Sequence, residues 1–316
     1  MSAVADPAVR LGLGCAQLGN LYHEIDDERA HATVDAAWDA GVRIFDTAPH
    51  YGLGLSERRL GEALRERPRE QYTVSTKVGR LLVGDPSWSG GMDTEGFAVP
   101  ATHRRVWDFS RDGIRRCLEA SLARLGLDRV DVALLHDPEE HQEVALRTGF
   151  PALAQLREEG LVGAIGAGSK DAAVLTRVVQ ECRPDVVLVA GRFTVLEQPA
   201  QEALLPACAA AGVEVLNAGV FNSGLLAVAE PSADLPYEYG AAPADLVAKA
   251  RAIAAVCERH GTTLPAAALA FAAGDPAVTA VVVGADSPEQ VRRNAALATA
   301  PPPASLWPAL REAGLL

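Results

Sequence analysis

The sequence lacks the cysteine pairs and long apolar runs that mark several classes of protein. Its five cysteines are odd in number and widely scattered, with no Cys-x-x-Cys pair for zinc or redox chemistry. No stretch of about 18 apolar residues runs without interruption, and the start, MSAVADPAVR, lacks a basic segment leading into an apolar one. We therefore expect a cytoplasmic protein with reduced cysteines, neither exported nor membrane-bound.

Positive charge is also scarce. Only 29 Lys and Arg residues stand against 41 Asp and Glu residues, which gives a formal net charge of −12. Because no basic run is dense enough to follow a phosphate backbone, the sequence argues against a nucleic-acid partner. A small-molecule substrate is the expected partner, and the sequence does not indicate an oligomeric state.

What the sequence contains is a repeated alternation of short apolar runs with longer amphipathic segments, the pattern of parallel strands joined by helices. Eight such units close into a barrel more readily than into an open sheet. The predicted fold class is α/β, with residues 1–316 forming a single eight-stranded parallel (β/α) TIM barrel. The expected strands are Leu11–Ala16, Val42–Asp46, Tyr72–Lys77, Val130–His136, Val162–Gly166, Val186–Ala190, Val213–Asn217 and Ala280–Val283. The expected helices are Asp27–Ala40, Ser56–Arg65, Arg111–Leu125, Pro151–Glu159, Asp171–Cys182, Gln201–Ala210, Ala244–Phe271 as two helices, and Pro288–Ala298.

Three segments exceed the usual connection length. Residues 79–109 follow the third expected strand, residues 218–243 follow the seventh, and residues 300–316 form a Pro-rich C-terminal tail. Because the loops after the strands build the mouth of a barrel, the first two are expected to form walls of a substrate pocket. No linker or internal repeat marks a second domain.

Four polar residues lie at or just beyond the carboxyl ends of neighbouring expected strands: Asp46, Tyr51, Lys77 and His136. A closed barrel brings these ends to one mouth, where the four side chains make a proton-transfer site. The pKa of a phenol is about 10, and the adjacent ammonium of Lys77 would lower the pKa of Tyr51. Asp46 is placed to hold Lys77, and His136 to polarise a substrate oxygen. Singly, each residue also fits an ordinary turn, surface or strand-end role; together they favour catalysis.

Motifs along nearly the whole chain resemble the aldo-keto reductases in order and spacing. They are GVRIFDTAPHYG, LGEAL, VSTKVG, LARLGLDRVDVALLHDP, LREEGLVGAIGAGS and AVVVGADSPEQVRRNAA. The resemblance implies an NAD(P)-dependent oxidoreductase whose catalytic tetrad is Asp46, Tyr51, Lys77 and His136. The segments DTAPHYG and GCAQLGNLY are most similar to the branch that contains L-fucose and D-threo-aldose 1-dehydrogenases, L-galactose dehydrogenase and pyridoxal 4-dehydrogenase.

The resemblance also implies where a dinucleotide binds. Gly168-Ser169 stands where the family often has a Ser-Asn pair on the nicotinamide amide, and Ala190–Arg192 stands where many members present a Gln. The loop after the seventh strand is similar to the family's pyrophosphate loop, and backbone N–H groups there suit a diphosphate. Asn294 matches the family's adenine contact. The implied cofactor-binding residues are Ser169, Phe221, Asn222, Ser223, Gly224, Leu225, Gly284, Ala285, Gln290, Arg293 and Asn294.

The eighth helix favours NAD over NADP. Members that prefer NADP typically place a basic residue at the position of Gln290 and a Lys or Ser near Ala285, to hold the 2′-phosphate. Here the acidic Asp286 lies beside them and would repel a phosphate. NADP stays possible, because Arg292 or Arg293 can swing toward a phosphate.

Aromatic and polar side chains of the long loops are expected to contact the substrate. Aromatic faces mixed with hydrogen-bond donors suit a sugar or a pyridine ring, although an aromatic such as Trp107 equally fits a role in pinning its loop. The substrate candidates are Tyr22, His23, Trp88, Trp107 and Tyr237, with His103, Phe109 and Tyr239 near them.

The activity implied is oxidation of an aldose at C1 to a lactone. Tyr51 would take the hydroxyl proton while the C1 hydride passes to the nicotinamide. The alternatives are an NADPH-dependent reductase of small aldehydes or ketones, a pyridoxal 4-dehydrogenase, and a non-catalytic barrel that senses a dinucleotide. A metal-dependent hydrolase is disfavoured, because the first strand segment, LGLGCAQLG, carries no His-x-His pair. No metal is expected.

Overall fold

The computed structural model describes residues 10–238 and 240–316. Its centre is a closed barrel of eight parallel strands, which confirms the predicted fold class. The strands follow one another around the barrel in the order β1, β2, β3, β6, β7, β8, β9 and β12, and β12 pairs with β1. The strands are β1 Leu11–Gly14, β2 Ile44–Asp46, β3 Thr73–Val78, β4 Arg80–Gly84, β5 His103–Trp107, β6 Val130–His136, β7 Val162–Ser169, β8 Val186–Ala190, β9 Glu214–Ala218, β10 Pro236–Tyr237, β11 Gly240–Ala241 and β12 Val278–Gly284.

Helices connect the barrel strands and cover the outside of the barrel. Side-chain caps begin several of them: Asp26, Ser110, Asp171, Thr263 and Ser287 each accept a backbone N–H of the first turn. No helix among the described residues is both long and apolar enough to cross a membrane. The helices are α1 Asp27–Asp39, α2 Leu55–Leu64, α3 Arg111–Leu125, α4 Gln142–Val144, α5 Phe150–Glu158, α6 Ala172–Cys182, α7 Leu204–Ala211, α8 Ala244–Arg259, α9 Leu264–Ala272, α10 Pro288–Ala298 and α11 Leu306–Glu312.

The barrel strands are apolar on both faces, as parallel strands covered by helices must be. One alternating set of side chains, which includes Leu134, Leu188 and Val282, forms a cluster separate from the helices and fills the barrel. A larger set packs between the strands and the helices. Gly166 in β7 permits the close approach of β8, because a Cβ there would lie 1.7 Å from the backbone oxygen of Val186.

The segment 79–109, expected as a long loop, contains an antiparallel hairpin of β4 and β5. The tip of the hairpin turns back onto the loop between β1 and α1. Tyr22 N donates to Gly96 O at 2.8 Å, and Ala98 N donates to Asn20 O at 2.9 Å. The hairpin is thereby fixed beside the mouth of the barrel.

The other two long segments are also more ordered than their composition indicated. Residues 218–243 include a short 3-10 turn at Asn222–Gly224 and the two-residue strands β10 and β11. The Pro-rich tail contains α11, whose Leu306 and Leu310 are buried with residues of α8. Tyr239, named above as a neighbour of the substrate candidates, lies outside the described residues, as do residues 1–9, on which part of the expectation about export rests.

Candidate active site

The four polar residues predicted at the strand ends lie together at the carboxyl end of the barrel. Asp46 ends β2, Lys77 lies near the end of β3, and His136 ends β6. These three strands are consecutive around the barrel. Tyr51 lies in the loop between β2 and α2, five residues after Asp46.

The backbone around Tyr51 is held by a close approach of two glycines. Gly52 has a φ of +61°, and a Cβ at this position would lie 2.3 Å from the backbone oxygen of Gly19. The reverse also holds, since a Cβ on Gly19 would lie 2.6 Å from the carbonyl carbon of Tyr51. Only glycine at both positions lets the two loops pass this closely and place the phenol in the barrel mouth.

Lys77 is the buried cation of the site. Its Nζ donates to Asp46 Oδ2 at 2.7 Å and to Thr47 O at 2.9 Å, and it lies 4.9 Å from the centre of the Tyr51 ring. Burial alone would lower the pKa of Lys77, but the Asp46 carboxylate and the Tyr51 phenol together raise that pKa above its usual value. The ammonium therefore stays charged although it is almost inaccessible to water.

The pKa of Tyr51 is raised rather than lowered. Burial raises it, and this effect outweighs the lowering by the neighbouring Lys77 charge. Lys77 lowers the pKa of Tyr51 as expected, but the net shift is upward. The reason is that removing a phenolate from water is more unfavourable than its attraction to this one ammonium is favourable. Tyr51 is consequently a protonated phenol at neutral pH.

Two imidazoles flank Tyr51, and only His136 was anticipated from the sequence. The other is His50, whose ring centre lies 5.6 Å from that of His136 and 6.0 Å from that of Tyr51. Burial, together with nearby cations, holds the pKa of His136 well below its usual value and lowers the pKa of His50 to about 2. Both rings are neutral, so each can donate one hydrogen bond and accept another.

Acid should destabilise the protein before its carboxylates titrate. Below about pH 6.5 the unfolded chain gains a proton on each histidine, whereas buried His50 and His136 stay neutral, so the folded state loses stability as the pH falls. We expect each of the two imidazoles to lower the free energy of unfolding by about 1.4 kcal/mol in total between about pH 7.5 and pH 5.5, and by about 1.4 kcal/mol for each further pH unit below that window. Urea unfolding between about pH 7.5 and pH 5.5 measures this slope. A His50→Asn variant with the wild-type slope would contradict the assignment.

The hairpin contributes residues that sequence reasoning missed. Phe97 lies 6.0 Å from the Tyr51 ring and packs edge-on against His50 at 5.1 Å. Arg105 forms a buried ion pair with Asp93 at 2.6 Å and donates to the backbone oxygen of His50 at 3.1 Å. The hairpin thus forms one wall of the site and fixes the residue before Tyr51.

Tyr22 and His23 line a cleft of about 370 Å³ that also reaches Asp46 and Tyr51. The other three substrate candidates do not line it. Trp88 donates to Gly91 O at 2.8 Å in the hairpin tip, and Trp107 stacks on Phe109 with ring centres 5.8 Å apart. Tyr237 donates a short hydrogen bond to the Glu197 carboxylate. These three side chains stabilise the loops to which they belong.

Most of the residues implied for cofactor binding line the same cleft. Three do not. Leu225 and Ala285 are buried beneath it, and the Ser169 hydroxyl contacts Glu139 and accepts the Asp171 N–H at 2.7 Å. The implied residues that line the cleft are Phe221, Asn222, Ser223, Gly224, Gly284, Gln290, Arg293 and Asn294.

The cleft also contains unpaired buried acceptors that fit a dinucleotide. Side-chain amide oxygens of Gln17, Asn222 and Asn294 are buried there without a hydrogen-bond partner. A buried acceptor is costly unless a donor reaches it, and a nicotinamide dinucleotide carries amide and amino donors at its two ends. Gln17 was not anticipated from the sequence, although it directly follows the first expected strand, which ended at Ala16.

The acidic residue expected to repel a 2′-phosphate is already paired. Arg29 donates from Nη2 to Asp286 Oδ1 at 2.8 Å and from Nε to Asp286 O at 2.6 Å, and His23 Nε2 lies 3.2 Å from Oδ2. Gln290 accepts the Asp286 N–H at 3.1 Å. Of the two arginines of α10 considered above, only Arg293 lines the cleft.

Comparisons with known proteins identify the family to which the chain is similar. Residues 10–314 match the profile of the Aldo/keto reductase family. The chain is 50% identical to a D-threo-aldose 1-dehydrogenase of Pseudomonas sp, over 100% of this chain and 96% of the relative. It is 34% identical to pyridoxal 4-dehydrogenase of Microbacterium luteolum, over 97% and 94% of the two chains. Among solved structures, glycerol dehydrogenase from Gluconobacter oxydans shares the fold with a TM-score of 0.76, at 22% identity over 99% and 93% of the two chains.

Proposed function

The chain belongs to the aldo/keto reductase family, and from that premise we propose that it oxidises an aldose at C1 to the lactone, with NAD as the cofactor. Membership makes it an NAD(P)-dependent oxidoreductase. The sugar is proposed because the D-threo-aldose 1-dehydrogenase of Pseudomonas sp matches the whole chain at 50% identity. The observation that carries the proposal is the meeting of a phenol, a buried ammonium and a neutral imidazole at one end of the cleft.

Tyr51 is the proposed proton acceptor in oxidation and the proton donor in the reverse reaction. The O–H bond of the C1 hydroxyl group breaks and its proton passes to the phenolate oxygen of Tyr51, while the C1–H bond gives up the hydride and C1 becomes the carbonyl carbon of the lactone. The charge of Lys77, held by Asp46 at 2.7 Å, stabilises the phenolate that must form. Neutral His136 orients the substrate oxygen by a hydrogen bond. The chemistry supplied by the cofactor is acceptance of the C1 hydride.

The residues proposed to hold the dinucleotide are those that line the cleft and present unpaired groups. In the turn from Phe221 to Gly224, the N–H groups of Asn222 and Gly224 donate to backbone oxygens of Gly219 and Phe221, and we propose that the pyrophosphate binds to the N–H groups of Phe221 and Ser223. Asn294 is proposed for the adenine, and the buried oxygens of Gln17 and Asn222 can accept hydrogen bonds from further groups of the cofactor. Leu225, Ala285 and Ser169 would act by supporting these residues.

The proposed preference for NAD rests on uncharged Gln290 rather than on repulsion by Asp286. Because Arg29 neutralises Asp286, the carboxylate repels a 2′-phosphate less than its sequence position indicated. Gln290 supplies no positive charge, and Arg293 is the one cation of α10 that the described structure places along the cleft. A cytoplasmic location is part of the proposal and is supported by the five free cysteines.

A substrate panel tests the proposed function. Reduction of NAD and of NADP would be followed by absorbance with L-fucose, D-arabinose, L-galactose, pyridoxal and simple alcohols, and NADPH-dependent reduction of aldehydes would be measured alongside. We expect turnover on a threo-configured aldose with a higher kcat/KM for NAD than for NADP. Activity confined to pyridoxal, or to NADPH-dependent reduction of aldehydes, would retain the family and overturn the proposed substrate and cofactor.

A further inference from the structure

We propose that His50 and Glu95 form a hydroxyl-binding subsite beside the reacting carbon, and that this subsite selects substrates with a hydroxyl group on the next carbon. The subsite would act in addition to the hydrogen bonds made to the reacting oxygen. It rests on the proposed function for the identity of the natural substrate, since an aldose carries a hydroxyl group at C2. The group that this subsite would recognise is the hydroxyl group itself.

His50 is a buried polar residue with unused hydrogen-bonding capacity. The residue is 6% exposed, and its Nδ1 is buried without a hydrogen-bond partner. The ring is fixed by the edge-on contact with Phe97 and by the hydrogen bond from Arg105 to its backbone. A buried nitrogen without a hydrogen-bond partner is destabilising, so a ligand group that pairs with it gains affinity.

Glu95 places an acceptor near this nitrogen without pairing with it. Its Oε2 lies 3.7 Å from His50 Nδ1, which is too long for a direct hydrogen bond. A hydroxyl oxygen that lies to one side of this pair, within hydrogen-bond distance of both atoms, can donate to the carboxylate, which only accepts, and accept from the neutral imidazole. Arg105, with Nη1 3.6 Å from Glu95 Oε1, keeps the carboxylate on this side of the hairpin.

The subsite lies next to the groups proposed to bind the reacting oxygen. His50 directly precedes Tyr51, and its ring centre is 5.6 Å from that of His136. A substrate whose reacting oxygen lies between Tyr51 and His136 extends its neighbouring carbon within a few bond lengths of His50. A hydroxyl on that carbon can pair with His50 and Glu95, whereas a simple alcohol or aldehyde has no group that does so.

A different role for His50 is to position Tyr51 by packing alone. The two roles predict different results, because a packing defect slows every substrate to a similar extent, whereas loss of a hydroxyl contact slows only substrates that carry the hydroxyl. The measured quantity is therefore a ratio of kcat/KM values for a substrate with the hydroxyl group and for its deoxy analogue.

The experiment compares His50→Phe and Glu95→Gln with the wild type. The substrates are a sugar and its 2-deoxy analogue in oxidation, and 2-hydroxypropanal and propanal in reduction. We expect each variant to reduce the preference for the hydroxylated member by about tenfold or more, mainly through KM, and His50→Asn to restore part of it. His31 and Glu62 form a matched imidazole–carboxylate pair at 3.5 Å on the outer helices, so His31→Phe and Glu62→Gln should leave the ratio unchanged.

Each outcome decides between the two roles. Equal losses on both members of a pair, or a wild type that shows no preference for 2-hydroxypropanal over propanal, would overturn the subsite. Failure to oxidise any sugar would overturn the proposed function alone, because the aldehyde pair still tests His50 and Glu95. Glu95 is half exposed, so Glu95→Gln gives a folded variant even where His50→Phe does not.

Discussion

Replacing Tyr51 with Phe should lower kcat by roughly 10²- to 10⁴-fold, the contribution of a positioned proton donor or acceptor. The substitution removes only the hydroxyl oxygen, so the ring contacts with Phe97 and His136 persist. Dinucleotide affinity should change by less than about threefold, because the residues proposed to hold the cofactor lie farther along the cleft. Steady-state kinetics and a fluorescence titration with the dinucleotide measure the two quantities.

Tyr72→Phe provides a matched control for this variant. Tyr72 is also a buried tyrosine, but it lies just before β3 at the opposite end of the barrel, where it packs edge-on against Trp38 and Phe45. Its hydroxyl is remote from the proposed chemistry, and turnover of this variant should equal that of the wild type. A Tyr51→Phe enzyme with full activity would show that another group transfers the proton.

The pH dependence of kcat/KM should differ between oxidation and reduction, because Tyr51 must be a phenolate in one direction and a phenol in the other. Because burial raises the pKa of Tyr51, the phenol is protonated at neutral pH and only a small fraction is the phenolate that oxidation requires. The kcat/KM for oxidation should therefore rise with pH above neutrality, whereas reduction uses the protonated phenol and should not rise. Parallel pH profiles in both directions would argue against Tyr51 as the group that titrates.

The barrel could be predicted from the sequence because its signals are local. A short apolar run with a turn on each side identifies a strand, and the residue at its carboxyl end is then placed at the mouth without further information. Asp46, Lys77 and His136 were found in this way. The same reasoning could not find the hairpin of β4 and β5, because β5 reads HRRVW, with charged residues and little apolar alternation. Its order comes from docking on the loop between β1 and α1.

The contacts that were missed join residues far apart in sequence. Arg29 and Asp286 are separated by 257 positions, so neutralisation of the acidic residue beside the cleft has no local signal. His50 was overlooked for the opposite reason: it lies next to a residue already assigned, and nothing in the sequence shows that its ring packs edge-on against that of His136. The burial of a side chain likewise has no local signal in the sequence, because it depends on how the whole chain packs. Burial reversed the expected direction of the shift in the Tyr51 pKa.

Arg59→Ala should lower the free energy of unfolding by about 3–5 kcal/mol, because this guanidinium is a buried clamp on the loop between β1 and α1. Arg59 donates to Leu18 O and Ile25 O at 2.8 Å each and to Asn20 Oδ1 at 2.7 Å. Its side chain is only 7% exposed. Without it, Leu18 O and Ile25 O lose the guanidinium donor and Asn20 Oδ1 keeps only the Ile25 N–H, in a region that water reaches poorly. Urea unfolding at neutral pH measures the change.

Arg58→Ala is the control for this clamp, since Arg58 is the neighbouring arginine of α2, lies exposed at the surface, and should change stability by no more than about 0.5 kcal/mol. The stability of Arg59→Lys should lie between those of the two alanine variants, because an ammonium cannot reach the three acceptors with the fixed geometry of a guanidinium.

The loop held by Arg59 also carries Gln17, Tyr22 and His23, which line the cleft, so Arg59→Ala should weaken dinucleotide binding as well. If Arg59→Ala unfolded at the same urea concentration as Arg58→Ala, the loop would have to be held by the hairpin alone, through the backbone hydrogen bonds of Tyr22 and Ala98.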